Sequence, residues 1–505
     1  MSLRCRILNG ICRMLYRSEY RKFKAPCNVG RVQQDYLQRL LQKNADTEYG
    51  RKYGFSGIQS YADFAELVPL TTYEDYEPYI AEMAAGKEHI LTSEKIRLFE
   101  LTSGSSGGKK LIPYTDSLKA EFQHGIRPWL CDIYTHISGV CDGKSYWSIT
   151  PVTAGKSFTE AGIPLGFEED AEYFGRIEQY IMRMIFAVDG SVKFPENMED
   201  FYFSTARQLL TCGTLSLISV WNPTFLTILC DFIRDNAEKL SHILPEKQRT
   251  EFLANAREER FDRIFPDLKI ISCWADGSAA DHVREVYRRF PDVHMQPKGL
   301  LATECFISFP LCGEEGSRLS IRSHFFEFRS LADGKITTAD KLDKGMYEVI
   351  VTTGGGFYRY CIGDVIEVLE TYPDHPPRIR FLRRNGIFSD LFGEKLSEEF
   401  VRSVLDALGI AGKFCLLAPE GKRYCLYTTA EHVTADVLDE MLCEGYHYRY
   451  CRDLGQLQAA EVMQITGDPA KDFLRRHTAE GMRLGDIKPA VLSRRSGWNE
   501  WFTLI

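Results

Sequence analysis

Residues 102–110, "TSGSSGGKK", gather a threonine, three serines, three glycines and two lysines between the strand-like runs "KIRLFEL" and "KLIPYT". Such a turn suits chemistry at a phosphate. Glycines let backbone N–H groups approach oxygens closely, hydroxyls add donors, and a terminal lysine supplies a point charge. The P-loop pattern does not fit. Gly104 to Gly108 is one residue short of its spacing, and Lys110 stands where a magnesium-binding hydroxyl is needed. The hydrolase elbow G-x-S-x-G matches in letters, with Ser106 as nucleophile. An elbow, however, must pass from strand directly into helix, and the run after this loop, with Pro113, reads as a strand. A hairpin loop that wraps a nucleoside triphosphate is the remaining chemical reading, beside a plain surface loop.

Two later segments carry groups of the same kind. "GLLATECFIS", 299–308, reads as a short strand ending in Thr303-Glu304, and "GGGFYRYCIGDVIEV", 354–368, as a glycine-rich turn followed by a strand with Gly363-Asp364. In this order, the three segments resemble the motifs of the auxin-responsive Gretchen Hagen three family of acyl acid–amido synthetases. These are distant members of the adenylate-forming superfamily that also holds luciferase and acyl-CoA ligases. "NADTEYGRKYGF", "VPLTTYEDYEPYI", "SVWNPTFL", "IISCWADGSA" and "FLRRNGIFSDLFGEKLSEE" add to the likeness, which runs from about residue 30 to about residue 400.

The resemblance implies a two-step reaction. ATP activates a carboxylic acid as acyl-AMP with release of pyrophosphate, and an amine such as that of an amino acid then displaces AMP to form an amide. It implies that Thr102, Ser103, Gly104, Ser105, Ser106, Gly107 and Lys110 face the β- and γ-phosphates. Thr303 stands at a phosphate-contacting hydroxyl, and Glu304 at the ligand of Mg2+, a hard cation that prefers carboxylate oxygen. Asp364 would accept the ribose hydroxyls, with Tyr358 nearby in the same motif. Arg383 resembles the hinge arginine, with Arg384 an exchangeable neighbour, and Lys395 the lysine of the small domain that reaches the α-phosphate. Asp276, Gly277 and Ser278 would pass the adenine ring.

Two other functions stay open at the level of sequence: an acyl-CoA ligase forming a thioester, and a relative that binds nucleotide without catalysis. Against the ligase, the tail "MRLGDIKPAVLSRRSGWNEWF" separates Gly485 from Lys488 by two residues, which breaks the Gly-Lys element of such enzymes. Trp221-Asn222-Pro223 fits either an edge of the acyl pocket or a buried aromatic turn. Cys305 reads as a small core residue rather than a nucleophile.

The elements that must position these groups alternate between helix and strand, which is an α/β pattern. "RVQQDYLQRLLQ" places Val32, Tyr36, Leu37, Leu40 and Leu41 on one helical face. "SYADF" and "TTYEDYEPYI" have the Ser/Thr-led acidic openings of helices. "DLKIISCWADG", "VHMQPKGLLATE" and "GMYEVIVTT" read as strands, and "DHVREVYRRF" and "MEDFYFSTARQLL" as helices. With the resemblance, the expectation is an adenylate-forming α/β fold. A large N-terminal domain, residues 1–385, has mixed sheets flanked by helices plus a small β-barrel and binds ATP and the acid. A small mobile α+β domain, residues 386–505, turns about the segment from Arg384 to Ser389.

The whole composition agrees with an enzyme of small molecules. The 505 residues carry a net charge of -8 and no basic stripe with interleaved aromatics, which argues against a nucleic-acid partner. The 15 cysteines include no CxxC pair, which points away from a zinc cluster and toward a reducing, cytoplasmic compartment. "LLTCGTLSLISVWNPTFLTILCDFI" is broken by Asn222-Pro223 and carries Asp231, so it reads as core and not as a membrane span. The basic opening "MSLRCRILNGICRMLYRSEYRKFK" reads as a helix with a solvated face, or else as a targeting segment. A monomer is expected.

Overall fold

The computed structural model describes residues 2–103, 109–149, 157–166, 176–276, 279–384, 388–389, 391–392, 394, 396–453, 457–482, 484, 487 and 490–505. The described chain forms two compact units: Met1–Asp276 with Glu285–Leu382, and Gly277–Arg284 with Arg383–Ile505.

In the first unit the basic opening is the helix Leu3–Lys24. Ser2 caps it by accepting from the Cys5 N–H, and Arg21, Lys22 and Lys24 sit in its last turn, where the helix dipole favours cations. Cys5, Asn9, Cys12, Tyr16 and Phe23 form its buried stripe. Asn9 donates to the carbonyls of Cys141 and Gly143, at 3.0 and 3.1 Å, so the stripe's one amide is satisfied. The helix Val29–Lys43 follows, capped by Asn28. Tyr36, Leu37, Leu40 and Leu41 are buried as their spacing predicts, and Val32 is half-buried. Tyr61–Leu67 and Tyr73–Ala84 both open on capping boxes, Ser60 with Asp63 and Thr72 with Asp75.

Two of the sheets carry the segments that lead to Asp276 and Asp364. The first is parallel: Lys144–Trp147, Leu215–Ser219, Ile270–Cys273 and His294–Pro297, in that order. Its two central strands, Leu215–Ser219 and Ile270–Cys273, are buried throughout, as strands covered on both faces require. The Asn222-Pro223 break inside the greasy stretch is a helix start. Asn222 caps Pro223–Asp235 and Pro223 takes its first turn, where a missing N–H costs nothing.

The second sheet has seven strands, ordered Ser308–Phe309, Ser317–Leu319, Arg378–Arg384, Tyr360–Glu370, Gly345–Thr352, Phe325–Ser330 and Ile336–Thr338. A hairpin of Leu98–Ser103 and Lys109–Tyr114 belongs to a separate four-stranded sheet.

The second unit is built on a four-stranded sheet, Cys415–Glu420, Arg423–Thr428, Glu461–Thr466 and Thr503–Leu504. Helices Glu398–Ala407, Ala435–Leu442 and Pro469–Ala479 lie in the same unit, which has its own core around Leu417, Tyr424, Leu426 and Tyr448.

Candidate active site

The hairpin pairs antiparallel through Thr102↔Lys110 and Ser103↔Lys109. The quoted loop therefore joins two arms of a hairpin, and the strand-to-helix turn that a hydrolase elbow requires is not what flanks it. Thr102 and Ser103 close the first arm. Gly104, Ser105, Ser106 and Gly107 lie outside the described residues. Lys110 opens the second arm with its ammonium 4.8 Å from the Tyr73 ring centre, a cation–π contact. Tyr73 fixes the same arm by its hydroxyl, which accepts from the Leu111 N–H at 2.7 Å. Burial pushes the Tyr73 phenol up, and the negative charges of Glu77 and Glu304 add to that. Lys110 thus sits over a tyrosine whose phenol also feels the charge of Glu304.

Thr303 and Glu304 form the two-residue tip of a small hairpin, Leu301–Ala302 with Cys305–Phe306. Two tyrosines hold this tip. Tyr114, at the end of the Lys110 arm, donates to the Thr303 carbonyl at 2.7 Å, and Tyr360 donates to Glu304 Oε1 at 3.3 Å. Glu304 is only 5% exposed. A buried network supports it from behind. The Phe306 N–H donates to His324 Nε2 at 2.8 Å, so the proton of that ring sits on Nδ1, which faces Glu121 at 3.0 Å. Glu121 also accepts from Tyr36 and from the Gly354 N–H. One carboxylate therefore ties the hairpin to the "GGG" turn at 354–356.

Asp364 falls within the strand that its segment reads as, Tyr360–Glu370, and is 3% exposed. Pairing runs Val351↔Tyr360 and Ile350↔Cys361, then resumes at Glu348↔Val365. Three residues, Ile362, Gly363 and Asp364, thus oppose the single Val349. This is a bulge, and Gly363 permits it with φ +80°. The bulge takes Asp364 out of the regular ladder.

The structure corrects the placement of Tyr358. Its side chain is 0% exposed, its ring stacks on Tyr49 at 5.2 Å, and its hydroxyl donates to the Leu91 carbonyl at 2.9 Å. It is a core residue, and Tyr360 is the tyrosine of that motif at the site. The cause is Arg359, a non-glycine residue at φ +50°, which interrupts strand alternation. Arg359 is held there by a buried ion pair with Glu327 at 2.9 Å and by donation to the Ala65 and Val68 carbonyls at 2.7 and 2.8 Å.

Asp276 follows the C-terminal end of the parallel sheet. Burial pushes its carboxyl up to about 6, opposed by the positive charge of Arg380. Gly277 and Ser278 lie outside the described residues. In the second unit Arg383 pairs with Glu399 at 3.3 Å. Lys395 also lies outside the described residues; its neighbour Glu394 is buried and accepts from the Leu391 and Phe392 N–H groups at 2.6 and 2.8 Å.

The structure so ties the Thr303–Glu304 tip to the Lys110 arm through Tyr114 and to the strand of Asp364 through Tyr360. Sequence reasoning missed Tyr73, Tyr114 and Tyr360. Tyr360 was within the quoted "FYRY", but spacing alone does not say which tyrosine turns inward.

Residues 21–253 match the GH3 family N-terminal domain and residues 318–384 the GH3 family central domain, together more than half of the chain. The chain belongs to the GH3 family. Among relatives, the chain is 23% identical to indole-3-acetic acid-amido synthetase GH3.3 of Arabidopsis thaliana, over 80% of this chain and 74% of the relative. It is 24% identical to 4-substituted benzoates-glutamate ligase GH3.12 of the same plant, over 74% and 72%. To jasmonoyl--L-amino acid synthetase JAR4 of Nicotiana attenuata it is 21% identical, over 81% and 78%. Among solved structures, the acyl acid amido synthetase AtGH3.15 in complex with 2,4-DB shares the GH3 fold with a TM-score of 0.77, at 19% identity over 96% of this chain and 94% of that one. The mixed α/β class and the family resemblance of the three sequence segments are thereby borne out.

Proposed function

We propose that this GH3 protein is an ATP-dependent acyl acid–amido synthetase. The observation that carries the reading is the tip of Thr303 and the buried Glu304, held by Tyr114 of the Lys110 arm and by Tyr360 of the Asp364 strand, in a chain whose relatives are named as amido synthetases and ligases. In the first step a carboxylate oxygen of the acid attacks the α-phosphorus of ATP, and the bond to the β-phosphate bridging oxygen breaks. Acyl-AMP and pyrophosphate result. In the second, a neutral amine attacks the acyl carbon, the bond to AMP breaks, and the amine's surplus proton leaves to solvent or base. Lys110 neutralises phosphate charge in the first step, and Asp364 positions the ribose.

Mg2+ suits this site. Such an ion takes one or two carboxylates plus substrate phosphates and water, rather than an all-protein cage. Glu304 is a buried carboxylate of this kind. Among the described residues the group of three possible ligands that lies close together is Asp132, His136 and Cys312, which does not include Glu304. Bound Mg2+ would supply charge neutralisation at the phosphates.

Lys395 and Arg383 enter the proposal as the nucleotide contacts that the family resemblance implies. No helix among the described residues is long and apolar enough to cross a membrane. A cytoplasmic setting is supported by the 15 cysteines, which stand as free thiols and so suit a reducing compartment.

The test is pyrophosphate exchange and AMP release across a panel of carboxylic acids, followed by mass spectrometry of a reaction holding acid, ATP, mixed amino acids and CoA. The expected product is an amide whose yield is indifferent to CoA. A dominant thioester, or ATP-independent ester cleavage, overturns the reading.

A further inference from the structure

The helix Leu3–Lys24 carries five arginines and two lysines against one acid, Glu19, in a chain whose net charge is -8. One face of it is built into the first unit. Cys5, Asn9, Cys12, Tyr16 and Phe23 are buried, the helix packs along Asp116–His136, and the Tyr20 hydroxyl donates to Asp132 Oδ1 at 2.8 Å. The opposite face is not polar. At about 100° per residue, Leu3, Ile7 and Met14 fall in one row, about half a turn from the buried stripe. They are 72%, 55% and 67% exposed, and Leu15 beside them is 43% exposed. The helix thus has two apolar stripes, of which the first unit covers one.

Cations border the open row. By the same rotation Arg6, Arg13 and Arg17 run along one side of it, Arg4 lies on the other, and Arg21 continues it toward the C-terminus. Arg6, Lys22 and Lys24 are paired with Asp142, Glu19 and Glu314. Arg4, Arg13, Arg17 and Arg21 are exposed, and they have no ion pair among the described residues. Arg13 donates to the Tyr134 carbonyl at 3.5 Å, a neutral partner that leaves its charge uncompensated. An apolar row between cations is complementary to a bilayer surface of anionic lipids. The apolar side chains enter the boundary between headgroups and acyl chains, and the arginines meet lipid phosphates. A second copy of this chain fits the row less well, because a two-fold contact sets the same arginines against each other.

We propose that the helix Leu3–Lys24 is a membrane-surface anchor, which seats the protein on anionic bilayers through Leu3, Ile7 and Met14, with the bordering arginines on lipid phosphates. The helix lies on the bilayer and does not cross it, since it is not apolar enough to do so. Its buried stripe fixes its rotation, so the open row meets the surface without unfolding of the first unit. The anchor goes beyond the amido synthetase reading and does not depend on it.

The test is co-sedimentation of the full chain with vesicles of pure phosphatidylcholine and of phosphatidylcholine mixed with phosphatidylglycerol. Binding is expected to be roughly ten-fold or more stronger on the anionic vesicles and to fall in high salt, since each cation near such a surface contributes about five-fold. Arg13→Gln combined with Arg17→Gln should weaken it about ten- to thirty-fold. Ile7→Gln combined with Met14→Gln should weaken it about ten-fold, with the net charge kept and the melting temperature unchanged, because both side chains are exposed. Equal binding to both kinds of vesicle, or binding to neither, overturns the anchor. Anionic binding that survives Ile7→Gln with Met14→Gln is attraction of charge alone and overturns it as well. Analytical ultracentrifugation covers the other occupant: self-association lost in the same double variant, without vesicle binding, assigns the row to a second copy of the chain and refutes the anchor.

Discussion

The Arg359–Glu327 pair gives the most closely determined prediction. Glu327 is 1% exposed and receives Arg359 Nε and Nη2 at 2.9–3.1 Å, together with the Tyr61 hydroxyl at 2.9 Å. Glu327→Gln keeps the shape but removes the charge, and it turns an amide donor toward guanidinium donors. Breaking a buried pair from one side costs about 3–5 kcal/mol. Part of this returns if Arg359 relaxes from its left-handed backbone, a conformation that costs a non-glycine residue about 1–2 kcal/mol. The net loss is then about 1–4 kcal/mol. Relaxation also has a functional cost, because Tyr360 and the Asp364 bulge follow directly. Urea unfolding followed by circular dichroism should show the stability loss, and ATP titration in pyrophosphate exchange should show a raised KM. A loss under about 1 kcal/mol refutes the account of the pair. A full loss with unchanged KM for ATP refutes the link between that backbone and the site.

Asp364→Ala should weaken nucleotide binding or turnover by about 1.5–3 kcal/mol, ten- to a hundred-fold or slightly more; calorimetric titration with ATP checks it, and unchanged affinity and turnover remove the ribose role. Glu304→Gln should raise the Mg2+ concentration needed for half-maximal exchange while leaving the melting temperature nearly unchanged in the absence of the ion, and an unaltered Mg2+ profile counts against Glu304 as its ligand. For Asp276, burial raises the folded carboxyl from 3.8 to about 6, so the fold favours its neutral form. The cost of its charge sets in as pH rises from about 4 and is complete above about 6. Asp276→Asn should accordingly melt higher than the parent at pH 7–8, with the gap closing toward pH 4; a gap independent of pH refutes burial as the cause.

Local order was legible where a few neighbouring residues decide it. Capping boxes at Ser60 and Thr72 announce their helices, and the apolar face of Val29–Lys43 announces its burial. The hairpin around the serine-glycine loop follows from strand-like flanks on both sides. What escaped depends on distant partners or on backbone conformations that no residue type signals. Tyr358 and Tyr360 share a parity, so alternation would place both alike; the left-handed turn at Arg359 separates them, and arginine gives no warning of it. Tyr114 reaches Thr303 across 189 positions, which no spacing rule covers. In the same way, nothing in the separate "RPWL", "SYWS" and "SVWN" reveals that Trp129, Trp147 and Trp221 converge on one lysine.

The bulge at Asp364 has a consequence for how such a site is gained or lost. Strand Tyr360–Glu370 carries two residues more than its partner Gly345–Thr352 needs between the flanking pairs. Deleting two codons, those of Ile362 and Gly363, would leave an unbroken ladder, with Cys361 still opposite Ile350, Val365 still opposite Glu348, and Asp364 now opposite Val349. Because the deletion is even, every downstream side chain keeps its face. The sheet would become more regular while the acidic group lost its special aim. A short, in-frame genetic event could thus remove the bulge and the placement of its acidic group without dismantling the scaffold, and the reverse insertion could install both in a regular sheet.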